Sequence, residues 1–213
     1  MYIEWFGQTF IRLQMKSPQN GDSHLLIDPY QTKNFGMRQP KMDADMVLLT
    51  VGDLDTKLNI QGNPFVITHP GEYETKQVFV YGVPEIDDNN KLTGQVMYVI
   101  EGEEMTIGHL GPIHQTQLTE QQLEYFENVD VLLVPVGGGN SLSPKQAARL
   151  VQQIDPRLVI PVHYAWKGSG LKLAGVDEFI KELGQSKSER VDKLRVVKKE
   201  LPVDETRLVI IEI

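Results

Sequence analysis

Residues 131–164 read VLLVPVGGGNSLSPKQAARLVQQIDPRLVIPVHY, and this stretch decides the fold class. The continuous apolar run 131–136 is typical of a buried strand, and the glycines at 137–139 can turn the chain sharply out of it. Residues 143–146, Ser-Pro-Lys-Gln, combine a capping hydroxyl, a proline at the first helical position and a reciprocal glutamine, so they predict a helix start. A second apolar run follows at 158–162. Strand, helix and strand in succession indicate an α/β fold.

The remainder of the chain extends this pattern on both sides. Short apolar or alternating runs bounded by Gly, Pro, Asn or Asp predict a strand-rich first half. These strands are expected over Tyr2 to Phe6, Phe10 to Met15, His24 to Ile27, Met46 to Leu49, Phe65 to Ile67, Val78 to Tyr81, Val96 to Ile100 and Met105 to His109. A capping box at Thr119 to Gln122 predicts another helix, a third is expected over Val176 to Leu183, and strands over Leu194 to Lys198 and Arg207 to Ile213 close the chain. We therefore expect two sheets packed face to face with helices outside, in a single domain spanning 1–213.

Composition excludes several classes of protein. The 213 residues carry a formal net charge of −8 and contain no cysteine, which disfavours nucleic-acid binding and excludes disulfides, thiolate nucleophiles and cysteine-rich zinc sites. A locally basic stretch from Lys187 to Lys199 is interrupted by Glu189 and Asp192, and we interpret it as a solvated face at an edge strand. No apolar run is long enough to span a bilayer and the N-terminus lacks a signal-peptide pattern, so no membrane association and a cytoplasmic location are expected.

Four landmarks occur in order along the chain. They are Ile3 to Gln8 with the strand end Leu26-Ile27-Asp28-Pro29, the segment Phe65 to Glu74, the tripeptide His109-Leu110-Gly111, and Val131 to Gly138 followed by Val159 to Tyr164. Together they resemble the metallo-β-lactamase superfamily, in particular its small, soluble branch of bacterial and archaeal metal-dependent hydrolases. The resemblance implies an α/β fold of the four-layer αββα sandwich type.

The resemblance also implies seven metal-ligand positions, which can be compared one by one. The hallmark loop T-H-x-H-x-D-H corresponds to Thr50 to Thr56, where the three histidine positions hold Val51, Asp53 and Thr56 and only Asp55 matches. Asp87 falls at a further histidine position, Pro112 at the bridging aspartate, and His163 retains the last histidine. A two-zinc centre is therefore difficult to build from these residues.

The residues left at these positions could still hold one ion. Asp53, Asp55, Asp87 and His163 form an oxygen-rich set, so we predict at most a single divalent cation (manganese, magnesium or zinc) and no other cofactor. Two alternatives stay open. Asp53 and Asp55 could cap a turn while His163 is a core histidine, or a displaced site could be built from His69, His109 and His114 with Asp55 or His163.

These comparisons lead to a functional expectation with two alternatives. We expect a non-catalytic or weakly active homologue that acts as a ligand-binding or regulatory scaffold, since fold alone does not establish an activity. The alternatives are a divergent metal-dependent hydrolase with a mononuclear site and a structural subunit that self-associates. No Ser-His-Asp order or nucleophile elbow is visible, so no catalytic residue is assigned. The expected partners are a small-molecule ligand in the former active-site cleft or further copies of the chain as a homo-oligomer.

Overall fold

A computed structural model describes residues 1–17, 21–185 and 188–213. Within these ranges, two sheets account for the strands, with a six-stranded sheet in the order β13-β1-β2-β3-β4-β5 and an eight-stranded sheet in the order β12-β14-β11-β10-β9-β8-β7-β6. The strands are β1 (Tyr2–Trp5), β2 (Ile11–Ser17), β3 (Gly21–Ile27), β4 (Met46–Leu48), β5 (Phe65–Ile67), β6 (Gly71–Thr75), β7 (Val78–Ile86), β8 (Leu92–Gly102), β9 (Met105–His109), β10 (Val131–Pro135), β11 (Leu158–Val162), β12 (Glu189–Val191), β13 (Leu194–Arg195) and β14 (Arg207–Ile211). The helices are α1 (Glu120–Phe126), α2 (Pro144–Ile154) and α3 (Val176–Glu182).

The six-stranded sheet is buried on both faces, and the alternation of side chains along its strands explains how. Leu25 and Ile27 of β3 belong to the main core between the sheets, whereas Leu26 points into a smaller core on the outer face. The same alternation places Val47 of β4 in the smaller core, because successive side chains of a strand face opposite ways. The outer core is covered by the long connections around a 3₁₀ helix at Thr32–Phe35 rather than by an α-helix of the described chain.

The eight-stranded sheet has the predicted strand and helix units. Strands β9, β10, β11 and β14 pair in parallel. The predicted capping boxes at Thr119 and Ser143 are both formed, with each hydroxyl accepting from the backbone N–H three residues on. Helix α2 ends at Ile154, and the left-handed backbone of the next residue, Asp155, closes the last turn. These units agree with the sequence expectation of two packed sheets with outer helices.

The strands differ from the sequence prediction in three places. No strand was predicted over Gly71 to Thr75, but this segment is β6 and pairs with β7. The strand expected over Leu194 to Lys198 stops at Arg195, and a 3₁₀ helix follows at Lys198–Glu200. The basic stretch was predicted to lie at an edge strand, and it holds two of them, β12 at the edge of the larger sheet and β13 at the edge of the smaller one; Lys187 lies outside the described residues. No helix in the described ranges is long and apolar enough to cross a membrane.

Candidate active site

Polar residues from both sheets meet where several parallel strands end. Asp28 follows β3, Thr50 lies two residues beyond β4, His109 ends β9 and His163 follows β11. Because β3 pairs with β4 in parallel, as do β9, β10 and β11, these residues leave their sheets at the same end. The carboxyl ends of strands are where layered α/β proteins expose functional loops.

Asp28 is fixed to Thr50 by two short hydrogen bonds. Its Oδ1 accepts from the Thr50 backbone N–H at 2.7 Å, and its Oδ2 accepts from the Thr50 hydroxyl at 2.6 Å. The carbonyl of Thr50 in turn accepts from Val96 N–H of the opposite sheet at 2.8 Å. Gly111 packs directly on Thr50, and a Cβ at this glycine would lie 2.7 Å from the threonine Cβ, so only glycine fits. The carboxylate is therefore held in place by backbone from both sheets.

His109 is enclosed beside this carboxylate. Its side chain has no exposed surface, and its Nε2 lies 3.8 Å from Asp28 Oδ2, which is too long for a direct hydrogen bond. Neither ring nitrogen has a hydrogen-bond partner within the described part of the chain. A buried imidazole without a partner is unfavourable, and such groups in native proteins commonly have a functional explanation.

His163 is the second imidazole of the group. Its backbone N–H donates to the Gln8 carbonyl at 2.8 Å, and its Nδ1 is enclosed without a hydrogen-bond partner from the described residues. Burial lowers the pKa of His163 from its ordinary value of 6.5, and the negative charge of Asp28 partly opposes this. The imidazole is therefore neutral at neutral pH and lies near enough to Asp28 to respond to its charge.

The backbone at these positions is unusual for the residues that occupy them. Asp28 has φ +47°, His163 has φ +49° and Gln8, whose carbonyl accepts the His163 N–H, has φ +47°. Positive φ is uncommon for residues other than glycine and persists only where the surrounding structure enforces it. Three such residues around one polar cluster support a functional role for this region.

The four predicted metal ligands are not gathered into one group. Asp53, Asp55 and Asp87 are exposed, whereas His163 is partly buried. Asp55 accepts from the Lys57 N–H, which lowers the pKa of Asp55, and also from the Gln31 side chain. Asp87 accepts from the N–H groups of Lys91 and Asn89, and the Lys91 bond is the main cause of its lowered pKa. Asp55 and Asp87 therefore cap local turns.

The donors present do not fit the two-ion centre that the resemblance implies. Val51, at a histidine position of the hallmark loop, is 54% exposed and has no ligand atom. Thr56 is also exposed, and Pro112 offers no ligand. Across residues 1–17, 21–185 and 188–213, no group of three or more His, Asp or Glu side chains could hold a metal ion. Asp53, Asp55, Asp87 and His163 remain a prediction as metal ligands.

The structure partly tests the alternative of a displaced metal site built from His69, His109 and His114. His69 bonds the neighbouring Thr68 hydroxyl, and His114 bonds Gln95 near the buried Glu85. Only His109 of the three lies beside Asp28. The sequence analysis named His109 as a candidate for a displaced site but treated Asp28 only as a marker of the fold, because nothing local shows that the ends of β3 and β9 meet.

Comparisons with known proteins give the class. The beta-lactamase superfamily domain matches residues 2–163, and the chain belongs to this family. A UPF0173 metal-dependent hydrolase of Pyrococcus furiosus is 33% identical over 199 residues, covering 78% of this chain and 87% of the relative. Another, from Pyrococcus abyssi, is 27% identical over 210 residues, covering 83% and 89% respectively. A solved structure from Thermotoga maritima, assigned to the zinc-dependent hydrolases of the metallo-β-lactamase superfamily, covers both chains completely with a TM-score of 0.81 and 29% identity.

These findings confirm the family and the fold and correct the expected function. The expectation of a non-catalytic ligand-binding or regulatory scaffold is wrong, because these similar proteins are named as metal-dependent or zinc-dependent hydrolases over nearly their whole lengths. The expectation failed because it was judged from the seven family ligand positions, of which His163 was one. The contacts that place Asp28 against Thr50 and beside His109 were not part of that comparison.

Proposed function

We propose that this chain is a hydrolase whose reacting centre is the cluster of Asp28, His109 and His163. The observation that supports it most is the enclosure of two imidazoles with unpartnered nitrogens beside one carboxylate. Burying polar nitrogens without partners is unfavourable for the fold alone. A reaction that requires an enclosed proton acceptor would account for these unpartnered ring nitrogens.

The chemistry assigned to the protein is general base catalysis by His163. A hydrolytic reaction requires a proton to be taken from water as the oxygen attacks, and a neutral imidazole is suited to accept it. The lowered pKa of His163 keeps the ring in the accepting form at neutral pH. When the ring takes up the proton, the nearby Asp28 carboxylate stabilises the imidazolium, and the proton then passes to the leaving group.

His109 completes the centre as a positioning group. The 3.8 Å between its Nε2 and Asp28 Oδ2 leaves both atoms able to bind a third polar atom, such as one of the attacking water or of the substrate. The formal net charge of −8 and the carboxylate in the centre disfavour polyanions. We therefore expect a small, uncharged substrate.

The similar proteins are named metal-dependent hydrolases, so the question is whether this chain has the side chains to bind a metal ion. Two imidazoles and one carboxylate are groups that bind divalent ions elsewhere, but the described side chains form no group of three in binding positions. The finer question of which ion, if any, Asp53, Asp55, Asp87 or His163 would bind is decided by elemental analysis of the purified protein. His163 can act as the base only if its accepting nitrogen does not bind that ion, so the same analysis also tests the role assigned to it.

The experiment that tests the proposal is an assay with three uncharged or singly charged substrates: a carboxylic ester, a phosphodiester and a β-lactam. His163→Asn is the informative variant, because asparagine tolerates the left-handed backbone at this position. It should lower kcat/KM for the accepted substrate by about 10²- to 10⁴-fold, the usual contribution of a general base.

The matched control is His24→Gln, which changes a partly exposed histidine earlier in β3 that pairs with Asp43. This variant should retain wild-type activity. Both variants should show cooperative unfolding, so that lost activity is not lost fold. Equal activity of His163→Asn and wild type would refute the assignment of the base, and failure to hydrolyse any of the three substrate classes would count against the proposed function.

A further inference from the structure

A cavity with basic walls lies at the opposite end of strand β9 from the proposed reacting centre. Its volume is about 420 Å³, which is within the range of small-molecule sites. Met105, the first residue of β9, lines the cavity, whereas His109 of the centre ends the same strand, so the two residues lie about 13 Å apart along it. We call this space the basic cavity. Its ionic lining residues are Lys16, Glu103, Glu104, Arg195, Lys198 and Lys199.

Positive side chains outnumber carboxylates around the basic cavity. Four of its lining side chains are cationic and two are carboxylates, although the whole chain carries a formal net charge of −8. One of the carboxylates, Glu103, is already engaged, because its Oε2 lies 2.7 Å from the Met1 α-ammonium and its Oε1 accepts the Lys16 backbone N–H at 2.5 Å. The sequence alone indicated a solvated face at 187–199, but the fold brings the end of that stretch together with Lys16 of β2. The cavity therefore has a local excess of positive charge.

Three of the four cations are available to bind an anion. Lys16 and Lys199 form no ion pair with any side chain of the described ranges 1–17, 21–185 and 188–213. Arg195 lies 3.8 Å from Glu200, and the two side chains are 60% and 58% exposed. Exposed pairs of this kind contribute little to stability, so the arginine can exchange this partner for a ligand.

The fourth cation, Lys198, holds the wall of the cavity in place. Its Nζ lies 2.5 Å from Oδ2 of Asp130, a side chain that is only 1% exposed, and the same oxygen accepts the Thr106 N–H of β9 at 3.0 Å. Because Lys198 begins a 3₁₀ helix, this ion pair also fixes the neighbouring Lys199 beside the start of β9. Cations that are held around one cavity repel each other, and an anion between them would remove that repulsion.

We propose that the basic cavity binds the diphosphate group of a small anion, either free pyrophosphate or a nucleoside diphosphate. A diphosphate carries about three negative charges near neutral pH, which matches the three available cations Lys16, Arg195 and Lys199. Lysine and arginine are the usual phosphate-binding side chains, and their charge-assisted hydrogen bonds are stronger than neutral ones. The proposal is independent of the hydrolase assignment, because the two sites lie at opposite ends of β9.

The test is calorimetric titration of the full chain with sodium pyrophosphate at neutral pH and low salt, where charge interactions are least screened. The wild type should bind one pyrophosphate per chain. Lys16→Gln and Lys199→Gln should each weaken binding by about 3- to 10-fold, the effect of losing one charged contact at a partly exposed site. Glu104→Gln, which removes the remaining carboxylate, should tighten it. Lys145→Gln, the matched control, removes the same charge from an exposed lysine of α2 and should leave binding unchanged.

Titration of ADP beside pyrophosphate identifies the source of the diphosphate. Tighter binding of ADP would indicate a nucleoside diphosphate and equal or weaker binding a free pyrophosphate; either supports the site if Lys199→Gln weakens it. No binding of either anion to the wild type, or equal affinities in the wild type and both lysine variants, would overturn the proposal. Binding lost in His163→Asn but kept in Lys16→Gln would place the anion at the reacting centre and also overturn it. A single-stranded DNA oligonucleotide that binds through Lys16 and Lys199 more tightly than ADP would replace the small anion by a nucleic acid and refute the proposed ligand.

Discussion

Asp28 gives the sharpest test of how the centre is held together. The carboxylate accepts from Thr50 N–H at 2.7 Å and from the Thr50 hydroxyl at 2.6 Å, and only 12% of its side chain is exposed. Hydrogen bonds to charged groups contribute about 1.5–3 kcal/mol each, so Asp28→Ala should lower the free energy of unfolding by about 3–6 kcal/mol. Alanine at φ +47° adds roughly 1 kcal/mol of backbone strain.

Asp28→Asn separates the charge from the shape of this residue. Asparagine tolerates the left-handed backbone, its Oδ1 can still accept the Thr50 N–H, and its Nδ2 can donate to the threonine hydroxyl oxygen. Two neutral bonds replace two charged ones, so the loss should be about 2–3 kcal/mol. Removing the negative charge also lowers the pKa of His163 further, because Asp28 is the group that raises it.

The measurement is urea unfolding at about pH 8, above the ordinary histidine range, for Asp28→Asn, Asp28→Ala, Thr50→Val and the double variant Asp28→Ala/Thr50→Val. If the Asp28–Thr50 bonds contribute as argued, Thr50→Val should destabilise the wild type by at least about 1.5 kcal/mol but have a much smaller effect beside Asp28→Ala. Additive losses, or an Asp28→Ala variant within about 1 kcal/mol of wild type, would refute the reasoning.

Three further predictions concern other parts of the molecule. First, burial holds the pKa of His163 in the folded chain below its ordinary value of 6.5. As the pH falls below 6.5, the unfolded chain therefore binds a proton at this histidine before the folded chain does. The free energy of unfolding should decrease over this range and level off once the pH has passed the folded pKa. That component should be missing from His163→Asn when urea midpoints of the two proteins are compared across about pH 5–8. Second, EDTA treatment tests whether the metal dependence named for the similar hydrolases extends to this chain; activity lost to EDTA and restored by zinc would show that it does, and unchanged turnover would show that His163 acts without an ion. Third, Tyr98→Phe should lower the free energy of unfolding by about 1–3 kcal/mol, because its buried hydroxyl lies 2.8 Å from the Leu49 carbonyl and 3.1 Å from that of Ile67; Tyr125→Phe, 45% exposed, is the control and should change it little.

The sequence predicted what local chemistry determines. The capping boxes at Thr119 and Ser143 and the apolar run of β11 each follow from a few neighbouring residues, and all three are formed. Strand β6 was missed because its hairpin turns through Lys76 and Gln77, both at positive φ, where Asn-Gly would have been the recognisable signal.

The candidate site was predictable only in part. His163 was selected because it matches a family position, and its location at the end of a buried strand followed from the sequence. The contact between Asp28 and His109 could not be predicted, because these residues are far apart in the chain and meet only through the packing of the two sheets. Asp55 and Asp87 differ from this pair because their partners are local. Each carboxylate accepts a hydrogen bond from a backbone N–H within four residues of it.

Asp28 and Thr50 come from the six-stranded sheet, whereas His109 and His163 come from the eight-stranded sheet. Neither sheet alone contains the whole centre, so during refolding the appearance of strands should precede the appearance of a competent centre. Circular dichroism would follow the gain of strand content, and recovery of the proposed hydrolase activity would mark the moment at which the two sheets dock. A substrate could then time the docking step of folding separately from strand formation.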